Sequence, residues 1–326
     1  TWSCNGRWIG WNYWSSFNWA SKRFSLGVNE KVKAYEFLRI LTKNSKYDYF
    51  ASRRLIERLF SLKYELSSEL ELDDNILQPI LKTIKNNPNY PIDYLIGEVT
   101  FYKLKFKITP AVLIPRQETE ELVDLIIKRY ASTKKFTNIL DIGTGSGVIG
   151  ISLSKQLNIP VTLSDLSVPA LKVATLNAKH NNVDYEIVQS DFLSEFLRSK
   201  KTFDLIVSNP PYIGTDDEIG EEIKYEPEMA LFAPNNGMEP YYRILTNLSK
   251  VLSKDGIAFF ETSALHHDEY LKFKSFFPRF NYEFLKDYSN KWRFMIVTKK
   301  NIWGAEKWKN VIPLSLMEMK KGNISM

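Results

Sequence analysis

The sequence predicts an α/β protein: a mostly parallel, seven-stranded sheet covered by helices on both faces, preceded by a small α-helical domain. Three observations carry this reading. From residue 138 onward, short apolar runs alternate with segments of helical period, which is the pattern of successive βα units. Phe203-Asp204-Leu205-Ile206-Val207 reads as a short strand buried on both faces. Residues 28–96 instead carry three apolar sets at helical spacing, built on Val32 to Leu41, Leu55 to Leu62, and Ile76 to Ile84.

Bulk properties narrow the classes. The chain has 326 residues, 44% hydrophobic and 25% charged, which suits two globular domains. No window approaches the ~18 uninterrupted apolar residues of a membrane-spanning helix. Lys and Arg outnumber Asp and Glu by 44 to 38, and the pI is near 9.0. That excess is scattered, so it permits a nucleic-acid partner without demanding one. Cys4 is the single cysteine, which excludes a disulfide or a cysteine-based metal site within the chain. His180, His266 and His267 lack zinc-ligand spacing, and no metal is expected.

In chain order, residues 1–27 hold five of the eight tryptophans, Ser residues, and basic Arg7, Lys22 and Arg23, with no acid before Glu30. Basic, acid-free N-termini resemble organelle transit segments, so a mitochondrial location is expected, with an unrelated extension of a cytoplasmic protein as the alternative. The helical domain, 28–96, is joined by polar links such as Asn44-Ser45-Lys46 and Ser67-Ser68. It is either a partner-recognition bundle or a structural cap. Asn86 to Pro91 is a linker signal, and 97–112 reads as a hairpin in which Leu104, Phe106 and Ile108 alternate with lysines. The main domain spans 113–300, opening on a helix after Pro115. Its strands are expected near 138–142, 161–165, 185–189, 203–208, 256–261, 282–287 and 292–298. Helices are expected over 148–157, 169–180, 241–252 and 267–277. Residues 301–326 carry no functional signal.

Two stretches carry chemistry. The loop Gly143-Thr144-Gly145-Ser146-Gly147 turns a strand into a helix with glycines at alternate positions. Dinucleotide loops space their glycines differently, and no Lys-Ser/Thr pair marks a phosphate loop. Asp141 just before the loop disfavours a pyrophosphate and matches the positive amino-acid part of S-adenosylmethionine. Asp165 ends the next strand, where an acid binds ribose hydroxyls. Asp191 ends the third and offers an acceptor to an adenine amino group, with Phe192 beside it for stacking. Each acid alone is also an ordinary strand-end or cap residue. Together on one sheet edge they point to a class I S-adenosylmethionine-dependent methyltransferase with a Rossmann-like sheet.

The second stretch is Ser208-Asn209-Pro210-Pro211-Tyr212. Two prolines stop the strand and fix a rigid corner at its carboxyl end. The corner offers an amide side chain, a proline carbonyl and an aromatic ring, a set suited to a planar NH2 group; an ordinary turn is the bland alternative.

Residues of about 90–299 resemble the HemK/PrmC family, the protein glutamine-N5 methyltransferases acting on peptide chain release factors. The matching stretches are Leu113 to Glu120, Asp141 to Gly147, Ser208 to Ile213, Tyr225-Glu226-Pro227 with Ala230-Leu231, and Asn236-Gly237-Met238. The glycine loop is generic and the Asn-Pro-Pro-Tyr corner is shared with adenine and cytosine amino-methyltransferases. The Ile-Pro-Arg-x-Glu-Thr-Glu and Glu-Pro…Ala-Leu stretches are the specific ones. Gln117 stands where proline is usual, and Asp287 to Arg293 keeps the Asp…Arg spacing with an altered middle.

The resemblance implies methylation of a glutamine in a Gly-Gly-Gln loop, with S-adenosylmethionine bound by Asp141, Gly143, Thr144, Gly145, Gly147, Asp165, Asp191, Phe192 and Asn209. Asn209, Pro210 and Tyr212 would be catalytic. Pro211, Phe101, Arg116 and Glu118 would join Asn209, Pro210 and Tyr212 around the substrate. The partner would be a release factor, met by a monomer, with no membrane and no direct nucleic-acid contact. The competing readings are a nucleic-acid amino-methyltransferase and a non-enzymatic release-factor or ribosome-binding module. A hydride-transfer enzyme fits less well, because the glycine spacing is not that of a dinucleotide site.

Overall fold

The computed structural model describes residues 31–60, 70–130, 132–221 and 223–300. The segments 1–27 and 301–326, Leu62 and the link at Ser67-Ser68, on which expectations were placed above, lie outside them. The chain divides into two compact units, one ending at Asn86 and one beginning at Asn87.

In the first unit, α1 (Ala34–Asn44), α2 (Tyr49–Leu59) and α3 (Asp74–Asn86) bury one face each, with Phe37, Leu41, Leu55, Ile56, Leu77 and Ile84 inside. Asp48 caps α2 by accepting from the Ala51 N–H at 2.7 Å. Tyr35 and Ile76, placed by periodicity with the apolar sets, are exposed. A short antiparallel ribbon, β1 (Lys31–Lys33) with β2 (Glu71–Asp73), was not expected from the helical pattern; three-residue strands are too short to show a period.

The boundary also differs from the expected 28–96. Helix α4 (Ile92–Ile96) belongs to the second unit, because Tyr94 packs with Ile108, Val112 and Ile114 and donates to the Val112 carbonyl at 2.6 Å. The hairpin β3 (Glu98–Phe101) and β4 (Leu104–Lys107) turns at Tyr102 and Lys103, both at positive φ, the geometry of a tight two-residue hairpin turn. Helix α5 (Gln117–Tyr130) follows.

The main sheet contains β5 (Ile139–Ile142), β6 (Val161–Asp165), β7 (Tyr185–Gln189), β8 (Phe203–Ser208), β11 (Leu252–Glu261), β12 (Phe280–Lys286) and β13 (Trp292–Lys299), in spatial order β7-β6-β5-β8-β11-β13-β12. Only β13 runs against its neighbours. Helices α6 (Val148–Leu157), α7 (Val168–His180), α8 (Ser194–Ser199) and α10 (Glu239–Val251) cover the two faces. Strand residues sort by parity: Ile139, Leu205, Val207 and Phe259 enter one core, and Leu140, Ile142, Ile206 and Phe260 the other. The expected helix over 267–277 is two pieces, α11 (His267–Leu271) and α12 (Phe273–Phe276). Between β8 and α10 lie β9 (Ile213–Gly214), α9 (Glu228–Leu231) and β10 (Phe232–Ala233), with β9 and β10 paired in parallel.

The chain moves outward from β5 to β7, then returns to place β8 on the other side of β5. That reversal is the switch point where α/β sheets bind ligands. Ile142 pairs with Ser208, and Ser208 with Phe260. The residues just beyond these pairs, Gly143, Asn209 and Glu261, therefore emerge side by side.

Candidate active site

A cavity of about 300 Å³ opens at this switch point, within the size range of small-molecule sites. Gly143, Thr144 and Gly145 form one wall, Asp165, Asp191 and Phe192 a second, and Asn209, Pro210, Pro211 and Arg116 a third. Gly143 and Gly145 lie at positive φ, and a Cβ on either would meet nothing within 4 Å. The loop thus leaves a backbone-lined cradle on the cavity side.

Asp165 is half-buried. One of its oxygens accepts from the Gly145 N–H and the other from the Ser167 N–H, both at 2.9 Å. Burial raises its carboxyl above the usual range, against the pull of these backbone donors. Asp191 pairs with Arg243, whose guanidinium also sits 4.8 Å from the centre of the Phe192 ring. Phe192 takes φ +48, a left-handed conformation uncommon for an aromatic residue.

Several expected contacts fall elsewhere. Asp141 does not line the cavity: it is fully buried behind the loop, where Oδ2 accepts from Thr144 Oγ1 at 2.7 Å and from the Gly150 N–H at 2.9 Å. Burial pushes its carboxyl up to about 7, and Oδ1 has no hydrogen-bond partner among the described residues. It shapes the loop from behind because its strand parity directs it toward α6. Gly147 also faces inward; a Cβ there would press on Ile151 Cδ1 at 2.6 Å. Phe101 is a core residue, 1% exposed and edge-to-face with Phe106, rather than a pocket wall. Tyr212 and Glu118 stand outside the cavity lining. Tyr212 packs against the second core with its hydroxyl 3.4 Å from Glu261 Oε1, and burial raises its pKa.

The structure gives contacts to residues for which the sequence offered no site role, Glu226 and Thr119 among them although both stand in the matching stretches. Glu226 is buried, pairs with Arg116, and accepts from the Ile114 N–H at 2.9 Å. Asn177 joins the hairpin to the glycine loop: its side chain donates to the carbonyls of Lys107 and Ser146 and accepts from the Lys107 N–H. Thr119 lines the cavity beside Asn209, and Glu261 lies outside the lining, bonded to Thr119. The apolar rim adds Leu166, Met229, Phe232 and Pro234.

This donor set fits S-adenosylmethionine. The wall has Asp165 for its ribose, an aromatic ring and Asp191 for its adenine, and a glycine cradle whose lining carries no lysine for a phosphate. Fold and site together define a class I S-adenosylmethionine-dependent methyltransferase.

The profile of the methyltransferase small domain matches residues 117–228. The release factor glutamine methyltransferase of Lactococcus lactis is 44% identical over 177 residues, covering 53% of this chain and 64% of that protein, just under two thirds of its length. The enzyme of the same name from Streptococcus pneumoniae is 35% identical over 236 residues, 71% of this chain and 78% of that protein. That of Flavobacterium psychrophilum is 42% identical over 205 residues, 60% of this chain and 71% of that protein. The chain belongs to the release factor glutamine methyltransferase family.

Proposed function

We propose that the chain methylates the side-chain nitrogen of the glutamine in the Gly-Gly-Gln loop of a peptide chain release factor. The observation that carries this reading is that the Asn209 corner shares one cavity with the glycine cradle. An acceptor of NH2 protons therefore stands beside the methyl-donor site. The bound cofactor supplies an electrophilic methyl carbon on a positively charged sulfur.

An amide nitrogen is a poor nucleophile because its lone pair is delocalised. Asn209 Nδ2 is turned to Thr119 Oγ1 at 3.4 Å, which leaves Oδ1 to accept one N–H of the substrate amide. The Pro210 carbonyl accepts the other. Two acceptors held on a proline-fixed corner aim the nitrogen at the methyl carbon and favour a pyramidal nitrogen as positive charge develops. The substrate nitrogen would take the methyl group with the C–S bond electrons kept by sulfur, and the methylated nitrogen would lose its extra proton to water. No His or Lys base is required. Arg116, fixed by Glu226, and Pro211 line the approach to the corner.

Peptide-resolved mass spectrometry of a release factor after incubation with the protein and S-adenosylmethionine tests this. One methyl group on the loop glutamine supports the reading; label carried by RNA or DNA instead would replace it with a nucleic-acid amino-methyltransferase. We also propose that the protein acts in mitochondria, supported by the basic, acid-free stretch before Glu30. A fluorescent fusion of the full chain that stays in the cytosol would contradict that part alone.

A further inference from the structure

We propose that Glu261 and Thr119 form a hydrogen-bond relay that fixes which end of the Asn209 amide faces the cavity, making both of them positioning residues for methyl transfer. The relay deepens the functional reading above and rests on it for its role in catalysis.

The argument is one of proton counting. A threonine hydroxyl has one proton to give. Thr119, buried on α5, gives it to Glu261 Oε2 at 2.7 Å. The hydroxyl then offers Asn209 only lone pairs, and Asn209 answers with its NH2 group at 3.4 Å. Turned the other way, the amide would set its carbonyl oxygen against those lone pairs. Its NH2 would then face the substrate NH2, donor against donor. The relay therefore makes the corner an acceptor of amide protons rather than a donor.

Glu261 is well held for this task. It is 1% exposed and ends β11 at the level of Asn209. Its backbone carbonyl accepts from the Tyr241 hydroxyl at 2.6 Å, and the Tyr212 hydroxyl lies 3.4 Å from Oε1. The charged groups acting on it are Arg293 of β13, itself paired with buried Asp287, and Glu118 of α5. Burial pushes the carboxyl up to about 7, opposed by the Thr119 bond and the Arg293 charge and reinforced by Glu118. Once Glu261 takes a proton it can donate to Thr119. The hydroxyl is then free to donate to Asn209, and the amide is no longer constrained.

Thr119→Val removes the hydroxyl at nearly constant shape, and Thr119→Ser restores it. The relay predicts that Thr119→Val lowers kcat about 10- to 100-fold while S-adenosylmethionine affinity stays within about twofold. Thr119→Ser should recover to within about threefold of wild type. The wild-type kcat should fall on the acid side of neutrality, and Glu261→Gln should abolish that limb. Equal rates for the valine and serine variants would overturn the relay. So would an acid limb that persists in Glu261→Gln and disappears in Asp141→Asn.

A second readout does not depend on the methyl acceptor. The Asn209 side-chain amide NMR signal, identified by its loss in Asn209→Ala, should shift with pH around neutrality in wild type and not in Glu261→Gln. A signal that ignores pH, or that titrates equally in both proteins, would contradict the relay. If no release factor is methylated but this signal behaves as described, the substrate assignment fails and the relay stands.

Discussion

Arg116 pairs with Glu226 across 110 residues of chain, and the second oxygen of that carboxylate accepts from the Ile114 N–H at 2.9 Å. The two stretches that carry the specific part of the resemblance are thus the two halves of one contact. Glu226 is buried and Arg116 about a third exposed, so the pair is only partly screened by solvent. Removing the carboxylate strands a backbone donor and a guanidinium. Glu226→Ala should cost about 2–3 kcal/mol of stability, discounted for the exposure of Arg116, and should raise KM for the protein substrate more than the cofactor Kd. Urea unfolding and steady-state kinetics check both parts.

Gly237 explains the Asn-Gly-Met stretch. It lies at φ +78, and a Cβ there would collide with the Tyr212 carbonyl, the last residue of the corner. Gly237→Ala should destabilise by about 2–4 kcal/mol through combined strain and collision. It should also lower kcat, because the corner must shift to make room. Retained kcat with retained stability would show that the corner is not held from this side.

Asp165 and Phe192 line the same wall of the cavity. One oxygen of Asp165 holds the Gly145 N–H of the cradle and the other the Ser167 N–H, so Asp165→Ala should loosen the loop as well as remove a carboxylate from the cavity wall. The expected loss of S-adenosylmethionine affinity is about 10- to 100-fold by calorimetry. Phe192→Ala should cost about tenfold, the value of one stacked ring. Neither should change the kcat measured at saturating cofactor by a comparable factor.

Asp141 and Glu261 give a pH dependence with a definite sign. Burial pushes both carboxyls up to about 7, above their ordinary values. Between about pH 4.5 and 7 the folded protein therefore holds more protons than the unfolded chain, and stability falls as pH rises through this window. The stabilisation is complete below the unfolded values and is lost above the folded ones, on the order of 3 to 4 kcal/mol per group. Glu98, Glu186 and Asp204, held below their usual values, act in the opposite sense at lower pH, and their exposure makes them weak. The melting temperature of the cofactor-free protein should decline from about pH 5.5 to 8, and Glu261→Gln should flatten part of that decline. A rising profile would contradict the burial of these groups.

The sheet was legible because strands buried on both faces leave continuous apolar runs, and the glycine loop and proline corner announce themselves by residue type. A carboxylate at a strand end marks the acids closing β5, β6 and β7. The same rule applied to Ile257-Ala258-Phe259-Phe260-Glu261 would have found Glu261. Thr119 left no such trace, since a threonine within a charged helix start gives no sign of burial. Nor does sequence show which side of a strand end faces the cavity. That is why Asp141 and Gly147, adjacent in the motif to true lining residues, stand behind the loop. Phe101 was misplaced because an aromatic near a hairpin turn reads the same whether it lines a pocket or fills a core.

Single-turnover methyl transfer to a release factor by Asn209→Ala, at saturating S-adenosylmethionine, tests the central claim most directly. Loss of the amide acceptor should raise the barrier by about 2–4 kcal/mol, slowing transfer roughly 30- to 1000-fold with cofactor affinity unchanged. A near-wild-type rate with unchanged cofactor affinity would contradict the role of the corner in holding the glutamine nitrogen.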